Sequence, residues 1–384
     1  MTPKIVSGNR LILLRSGTEY FPALLAAIQA ARTEIFLETY LYEDDATGRA
    51  VTNALCAAAK RDVAVHLMVD GFGAKDMQET IRHQLRESGV QLLVYRPVIS
   101  RLTLRRQRLR RMHRKLAVLD GKTAFIGGIN IIDDMDTPGH SPPRVDYAVQ
   151  IEGPLLRLIH SSAVQLWRRV ALAHLRRRPL PSAVVDDRPR GTQRAAFVTR
   201  DNVAHRRDIE TAYLTAIAAA RHEIIIANAY FFPGRRFREA LMQAATRGVR
   251  VVLILQGRVE YTLLHYAAQA LYGTLLANGI KICEYRKSFL HAKVAVIDGH
   301  WATVGSSNID PFSLMLAREA NVVVEDHRFA SELHDSLCRA IEDGACTLLH
   351  EHWLHRTWPQ RALTWLCYRT VRILVGLAGY GAEV

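Results

Sequence analysis

Short apolar runs alternate with longer Ala-rich or amphipathic stretches along this chain, and the alternation occurs twice. Leu24 to Tyr42 reads as an Ala-rich helix entering a strand, Glu-Ile-Phe-Leu-Glu-Thr-Tyr-Leu-Tyr, and Leu214 to Phe232 repeats that pattern. Ala50 to Asp70 and Ala240 to Gln256 follow, each a helix and then an apolar strand, Val63 to Val69 and Val249 to Leu255. Gly89 to Tyr95 and Gly279 to Tyr285 each add a further strand after a helix. Helix alternating with strand predicts an α/β fold made of two duplicated sandwich halves, each with a mixed sheet, related by a pseudo-two-fold. Pro179, Pro181, Pro189 and Gly191 interrupt any periodicity between them. This divides the chain into an N-terminal half over 1–175, a linker over 176–194, a C-terminal half over 195–347 and a tail over 348–384.

Within each half the strand pattern changes to a hairpin that carries a repeated motif. The first copy runs from His113 through Lys115, Asp120, Gly127 and Gly128 to Asn130, and the second from His291 through Lys293, Asp298, Gly305 and Ser306 to Asn308, at identical offsets. Each copy is an apolar strand, an Asp-Gly turn and a second apolar strand. Because side chains two apart share a strand face, His113 projects with Lys115 and His291 with Lys293. Small residues at Gly128 and Ser306 allow close approach of a ligand, and Asn130 and Asn308 add amide donors. Asp120 and Asp298 fit two roles, support for the site and the turn residue that a type I′ hairpin requires.

One imidazole, one ammonium and one amide per half suit phosphate oxygens better than a metal ion. Two halves facing each other would place two His and two Lys about one phosphoryl group, at the interface between the halves. One His can then attack phosphorus while the other protonates the leaving alcohol, with no metal or cofactor required. A carboxylate is needed to fix each imidazole. Asp146 and Glu319, each at the start of the next apolar strand (Tyr147 to Ile151; Ala320 to Val324), are the candidates. Glu38 and Asn228 are read as equivalent strand-end positions, as are Asp70 and Gln256, which makes the halves chemically unequal and could separate donor and acceptor pockets.

The paired HxKx4D motifs with downstream G-[GS]-x-N resemble those of the phospholipase D superfamily, over about residues 8 to 345. Leu37 to Tyr40, Arg111 to Lys115, Phe125 to Gly128, Ile226 to Gly234 and Trp301 to Asn308 are similar to the short bacterial cardiolipin synthases of that superfamily. The resemblance implies catalytic roles for His113, Lys115, Asp120, His291, Lys293 and Asp298, and a phosphohistidine intermediate with His113 as nucleophile and His291 as acid. It implies that one phosphatidylglycerol gives up glycerol and a second supplies the attacking hydroxyl. Hydrolysis of phospholipid or nucleic acid, and a non-catalytic lipid-binding role, are the competing functions.

Charge and tail composition bear on location. Lys and Arg (51) exceed Asp and Glu (37), which favours anionic partners. Residues 101 to 115 hold seven Arg and one Lys and lead directly into the first motif. Anionic lipid headgroups fit that run; nucleic acid would satisfy the same charge but is the less favoured partner. No obligate protein partner is implied. Five Cys show no metal-ligand spacing, and the His350, His352, His355 cluster lacks a helix-face metal pattern. No apolar stretch follows Met1, so a cytoplasmic position at the inner membrane is expected. In the tail, Trp353, Trp358, Trp365 and Tyr368 interleave with Arg356, Arg361, Arg369 and Arg372, and the apolar part is too short to span. Such a segment suits a helix lying in the membrane interface or one packed on the body.

Overall fold

The N-terminal half alternates strand and helix before it turns antiparallel. Its elements are β1 (Val6–Arg15), α1 (Ser16–Ala30), β2 (Glu34–Thr39), α2 (Ala46–Ala59), β3 (Ala64–Asp70), α3 (Glu79–Glu87), β4 (Gln91–Tyr95), β5 (Lys115–Leu119), β6 (Thr123–Gly127), β7 (Tyr147–Glu152) and α4 (Leu156–Ala173). The C-terminal half runs β8 (Gln193–Arg200), α5 (Asp208–Ala219), β9 (Glu223–Asn228), α6 (Arg235–Thr246), β10 (Arg250–Gln256), α7 (Thr262–Ala277), β11 (Lys281–Tyr285), β12 (Lys293–Ile297), β13 (Trp301–Gly305), α8 (Pro311–Met315), β14 (Glu319–Glu325), α9 (His327–Gly344) and β15 (Ala345–Thr347). The helices α10 (His350–Leu354) and α11 (Trp358–Val375) follow. The computed structural model describes residues 4–75, 77–97, 110–175, 184–259 and 261–376. Most of the Arg-rich run before the first motif and the first part of the linker lie outside the described residues.

The strand order makes the duplication explicit. The order is β15-β11-β10-β9-β12-β13-β14-β8-β1-β7-β6-β5-β2-β3-β4, which reads alike outward in both directions from the antiparallel β8–β1 pair, apart from the extra β15. In each half three strands are parallel (β2, β3, β4; β9, β10, β11) because helices cross between them. The motif hairpin then enters antiparallel beside β2 or β9. The turns explain the Asp-Gly pairs. Asp120 and Gly121 have φ of 51° and 60°, and Asp298 and Gly299 have 51° and 63°, the left-handed pair of a type I′ turn. One further residue, Lys122 or His300, closes each loop.

Three apolar clusters hold the layers. One lies under α1, α2 and α3, including Leu24, Ile28, Val51 and Leu85. A second lies under α5, α6 and α7, including Ile217, Phe237, Leu241 and Leu275. The third is shared: Leu116, Val118, Ile126 and Val149 of one half join Val294, Val304, Val322 and Val324 of the other, covered by Ile159 and Trp167 of α4 and by Phe329 and Leu333 of α9. A common core of this kind fixes the two halves against each other and sets the geometry of the seam between them.

Of the two alternatives for the tail, packing on the body is what the fold displays, and it leaves one apolar face of α11 open. Val371 and Val375 are buried in the second cluster, and the Tyr368 ring lies 5.7 Å from that of Phe232. The opposite face carries Trp358 (80% exposed), Trp365 (59%), Leu366 and Ile373. A capping box between Thr357 and Gln360 starts the helix.

Candidate active site

Short parallel bridges bring the two motifs together at the seam. Met112 bridges Arg318, one residue before Glu319, and Leu290 bridges Val145, one residue before Asp146. The His113 amide donates to Arg318 O at 2.9 Å and the His291 amide to Val145 O at 2.8 Å. Each motif histidine is thereby aimed at the acid of the other half. His113 Nδ1 lies 3.0 Å from Glu319 Oε1, and His291 Nδ1 lies 2.6 Å from Asp146 Oδ2. The order of residues along the chain identifies the two acids but does not reveal that they cross between halves. With Nδ1–H donated to a carboxylate, Nε2 is the nitrogen each imidazole offers to a substrate.

Small residues at matching positions make room for, or brace, those acids. A side chain at Gly128 would collide with the Asp146 carboxylate, so glycine is needed there. At the matching place Ser306 donates its hydroxyl to Glu319 Oε2 at 2.5 Å. Glu319 and Asp146 are almost wholly buried, whereas the His113 and His291 rings keep 17% and 22% of their surface open. Lys115 Nζ donates to His113 O at 2.7 Å, and Lys293 Nζ donates to His291 O and lies 3.9 Å from Asp146. Asn130 Oδ1 accepts from Leu41 N at 3.1 Å, while Asn308 Oδ1 is buried with no partner.

Burial sets the proton affinities of this cluster. It lowers His113, with Glu319 opposing and Lys115 adding to the fall. It brings His291 down to about 3, assisted by the Lys293 charge and opposed by Asp146. It brings the Lys115 ammonium down to about 7, with Glu319 opposing. Burial thus favours the neutral form of both imidazoles, which stand beside the Lys115 and Lys293 side chains.

The description "Cardiolipin synthase, PLD-like domain" matches residues 24–135 and 213–340. Cardiolipin synthase B of Escherichia coli (strain K12) is 39% identical over 97% of this chain and 90% of its own length. The chain belongs to the phospholipase D-like cardiolipin synthases. The major cardiolipin synthase of Bacillus subtilis (strain 168) is 29% identical over 85% of the chain and 67% of its own length. The crystal structure of phosphatidylserine synthase from Haemophilus influenzae Rd KW20 shares the fold, with a TM-score of 0.68 at 14% identity over 96% of this chain and 95% of that one.

Two motif residues of this cardiolipin synthase homologue lie away from the cluster. Asp120 and Asp298 end β5 and β12, about 16 Å of strand from Lys115 and Lys293. Asp120 accepts from the amides of Arg32, Thr33 and Glu34, and Asp298 from those of Arg221, His222 and Glu223. Burial pushes both carboxyls up, but these backbone hydrogen bonds outweigh it and leave them below their ordinary values. These contacts tie the turn to the start of β2 or β9, the turn role of the two that the sequence leaves open for Asp120 and Asp298. Asp120→Ala strands three amides and is expected to lower the unfolding free energy by about 2 kcal/mol. Turnover per folded molecule should stay unchanged, as denaturant titration alongside an active-fraction assay would check.

The equivalence of Glu38 with Asn228 is also corrected. Glu38 pairs with Leu116 and Asn228 with Lys293, so the register aligns Glu38 with Ala227 and Thr39 with Asn228. Glu38 instead forms a buried ion pair with Arg114 (Nη2–Oε1 2.6 Å), and Arg114 also reaches Ser162 of α4. Where the N-terminal half has Arg114 and Glu38, the C-terminal half has Ala292 and Ala227, so the charge is matched inside the fold and does not divide the cleft into two pockets. Asp70 and Gln256 do correspond, one place beyond the matched Val69 and Leu255.

Tyr40, in the segment Leu37 to Tyr40, also reaches the cluster. Its ring lies 4.9 Å from that of His113 and 5.4 Å from Lys115 Nζ. Its position directly after β2 was the available signal, because the C-terminal ends of parallel strands are where sites form.

Proposed function

We propose that this chain is a cardiolipin synthase that moves the phosphatidyl group of one phosphatidylglycerol onto the headgroup hydroxyl of a second, releasing glycerol. The observation that carries this is the crossed pair of histidine–carboxylate contacts with two lysines between them. In the first step His113 Nε2 attacks phosphorus, the P–N bond forms, and the P–O bond to glycerol breaks as His291 Nε2 gives that oxygen a proton. In the second step His291 takes the proton of the incoming hydroxyl, its oxygen attacks phosphorus, and the P–N bond breaks. Lys115 and Lys293 offset charge on the non-bridging oxygens. Burial is the main cause of the low His291 proton affinity and the lysine charges add to it; a bound phosphodiester offsets those charges and so favours His291 carrying the proton the first step consumes. The 39% identity to a cardiolipin synthase supports the same substrate class. Incubation with phosphatidylglycerol vesicles followed by lipid mass spectrometry should yield cardiolipin and glycerol. Phosphatidic acid alone would make the chain a hydrolase.

The substrate resides in a bilayer, and the surface fits that setting. Among the described residues no helix is long and apolar enough to cross a membrane. Phe72, Val259 and Tyr261 are exposed, with the Arg111 guanidinium 5.4 Å from the Phe72 ring. The open face of α11 presents Trp358, Trp365, Leu366 and Ile373 beside Arg369 and Arg361. Trp and Arg at the border of an apolar face suit an anionic interface. We place the protein peripherally on the cytoplasmic side of the bacterial inner membrane. The triple substitution Trp358→Ala, Trp365→Ala, Ile373→Ser should cut flotation with phosphatidylglycerol vesicles at least tenfold while cleavage of a water-soluble phosphodiester persists; unchanged flotation would remove α11 from the membrane contact.

A further inference from the structure

The two halves differ most beside the cleft at the positions of Asp70 and Gln256. Both Asp70 oxygens have partners: it accepts from the amides of Met112, Phe72 and Gly73 and lies 3.7 Å from Arg111. Gln256, at the matching place in the C-terminal half, is 7% exposed and its Oε1 has no partner. It lines a narrow recess together with Tyr230, Arg258, Tyr261, His265 and Tyr272. A buried carbonyl oxygen without a donor is costly, and one that lines a recess is placed to accept a hydrogen bond from a group that enters it.

The recess adjoins the chemistry. Its wall residue Ala229 donates its amide to Ala292 O at 2.9 Å, next to His291. Tyr230 and Tyr261 meet edge to face at 5.4 Å, and Tyr261 is near enough to Tyr40 to act on its phenol. Tyr40 in turn lies against His113. In a double displacement at phosphorus the leaving and entering alcohols use the same position, opposite the nucleophile. With His113 as nucleophile, that position is beside His291 and this recess.

We propose that the recess is a polyol subsite in which Gln256 Oε1 accepts a hydrogen bond from the non-reacting hydroxyl of a glycerol headgroup. The subsite deepens the cardiolipin synthase reading and rests on it. A headgroup with two hydroxyls can present one to phosphorus and one to Gln256, whereas a simple alcohol or water can present only the first. The tyrosine rings give the polyol carbons an apolar wall. Selection for a diol is then assigned to the C-terminal half, since Asp70 in the other half already accepts three backbone amides beside Arg111.

An internal competition tests this. Phosphatidylglycerol vesicles are incubated with the full-length protein and equal concentrations of propane-1,2-diol and propan-1-ol, and the two phosphatidyl alcohols are quantified by mass spectrometry. In each product a P–O bond to the alcohol replaces the P–N bond to His113, and the alcohol proton passes to His291. The wild-type protein should favour the diol about tenfold, the difference one hydrogen bond supplies. Gln256→Met should bring the ratio near one, and Gln256→Glu, which keeps an acceptor oxygen, should retain the preference. Because both products form in one tube, the ratio does not depend on how much variant folds, and Gln256→Leu provides a second apolar replacement. An unchanged ratio in both apolar variants, or no preference in the wild type, overturns the subsite while leaving the transferase intact. Absence of any phosphatidyl alcohol from the wild type overturns the transferase reading itself.

Discussion

His113→Ala should abolish cardiolipin formation, with a loss on the order of 10⁴-fold or more, since it removes the atom that bonds to phosphorus. His291→Ala should fall by about 10²–10⁴-fold with phosphatidylglycerol, because glycerol is a poor leaving group without a proton. The two variants separate on a phosphodiester of p-nitrophenol, which leaves as an anion and needs no acid. On that substrate His291→Ala should still release a burst of p-nitrophenol and retain acid-labile phosphorus on the protein, whereas His113→Ala should do neither. The reverse pattern would exchange the two roles. Substantial residual cardiolipin synthesis in both single variants would rule out covalent catalysis by this pair.

Converting either orienting acid to its amide should cost almost as much. Glu319→Gln and Asp146→Asn keep size and hydrogen bonding but lose the charge that holds each imidazole's Nδ1 proton, a change that costs a catalytic triad on the order of 10⁴-fold. The crossing of partners makes the prediction specific. Glu319 lies 3.0 Å from His113, so Glu319→Gln should lower the pKa of His113, because the carboxylate raises it, and leave His291 little changed. Asp146→Asn should do the converse. Imidazole titrations by nuclear magnetic resonance would read both, and a shift confined to the histidine of the same half would contradict the crossed arrangement. Glu319→Gln should also add little to the loss already caused by His113→Ala, since residues acting as one unit do not contribute independently.

What could be read from residues alone followed physical rules that act locally. Strand and helix periodicity, the Asp-Gly turns and the repeated spacing of His, Lys and Asn gave two like halves, and the strand order is symmetric about β8–β1. Asp146 and Glu319 stood out because each opens an apolar strand after a motif. Which histidine each acid serves depends on the Met112–Arg318 and Leu290–Val145 bridges, contacts between distant segments that no local pattern encodes. Asp120 and Asp298 illustrate another limit, for a motif position can be invariant in spacing because a turn needs it. Glu38 and Asn228 both lie near the ends of matching strands, yet the registers with β5 and β12 set them one position apart, and a one-residue slip in a strand moves a side chain to the opposite face. Gln256 could be aligned with Asp70, but only the folded chain shows that its oxygen lacks the amide donors that Met112, Phe72 and Gly73 give the aspartate.

The bridges across the seam also bear on the order of events during synthesis. The N-terminal half leaves the ribosome first, carrying His113 and Lys115, while Glu319, Arg318 and His291 are still to be made. Until β14 is in place, His113 has neither the carboxylate that orients it nor a second imidazole to protonate a leaving group. The second imidazole and the Glu319 carboxylate therefore arrive together with the C-terminal half, so a chain halted before β14 lacks part of the arrangement that the proposed reaction uses.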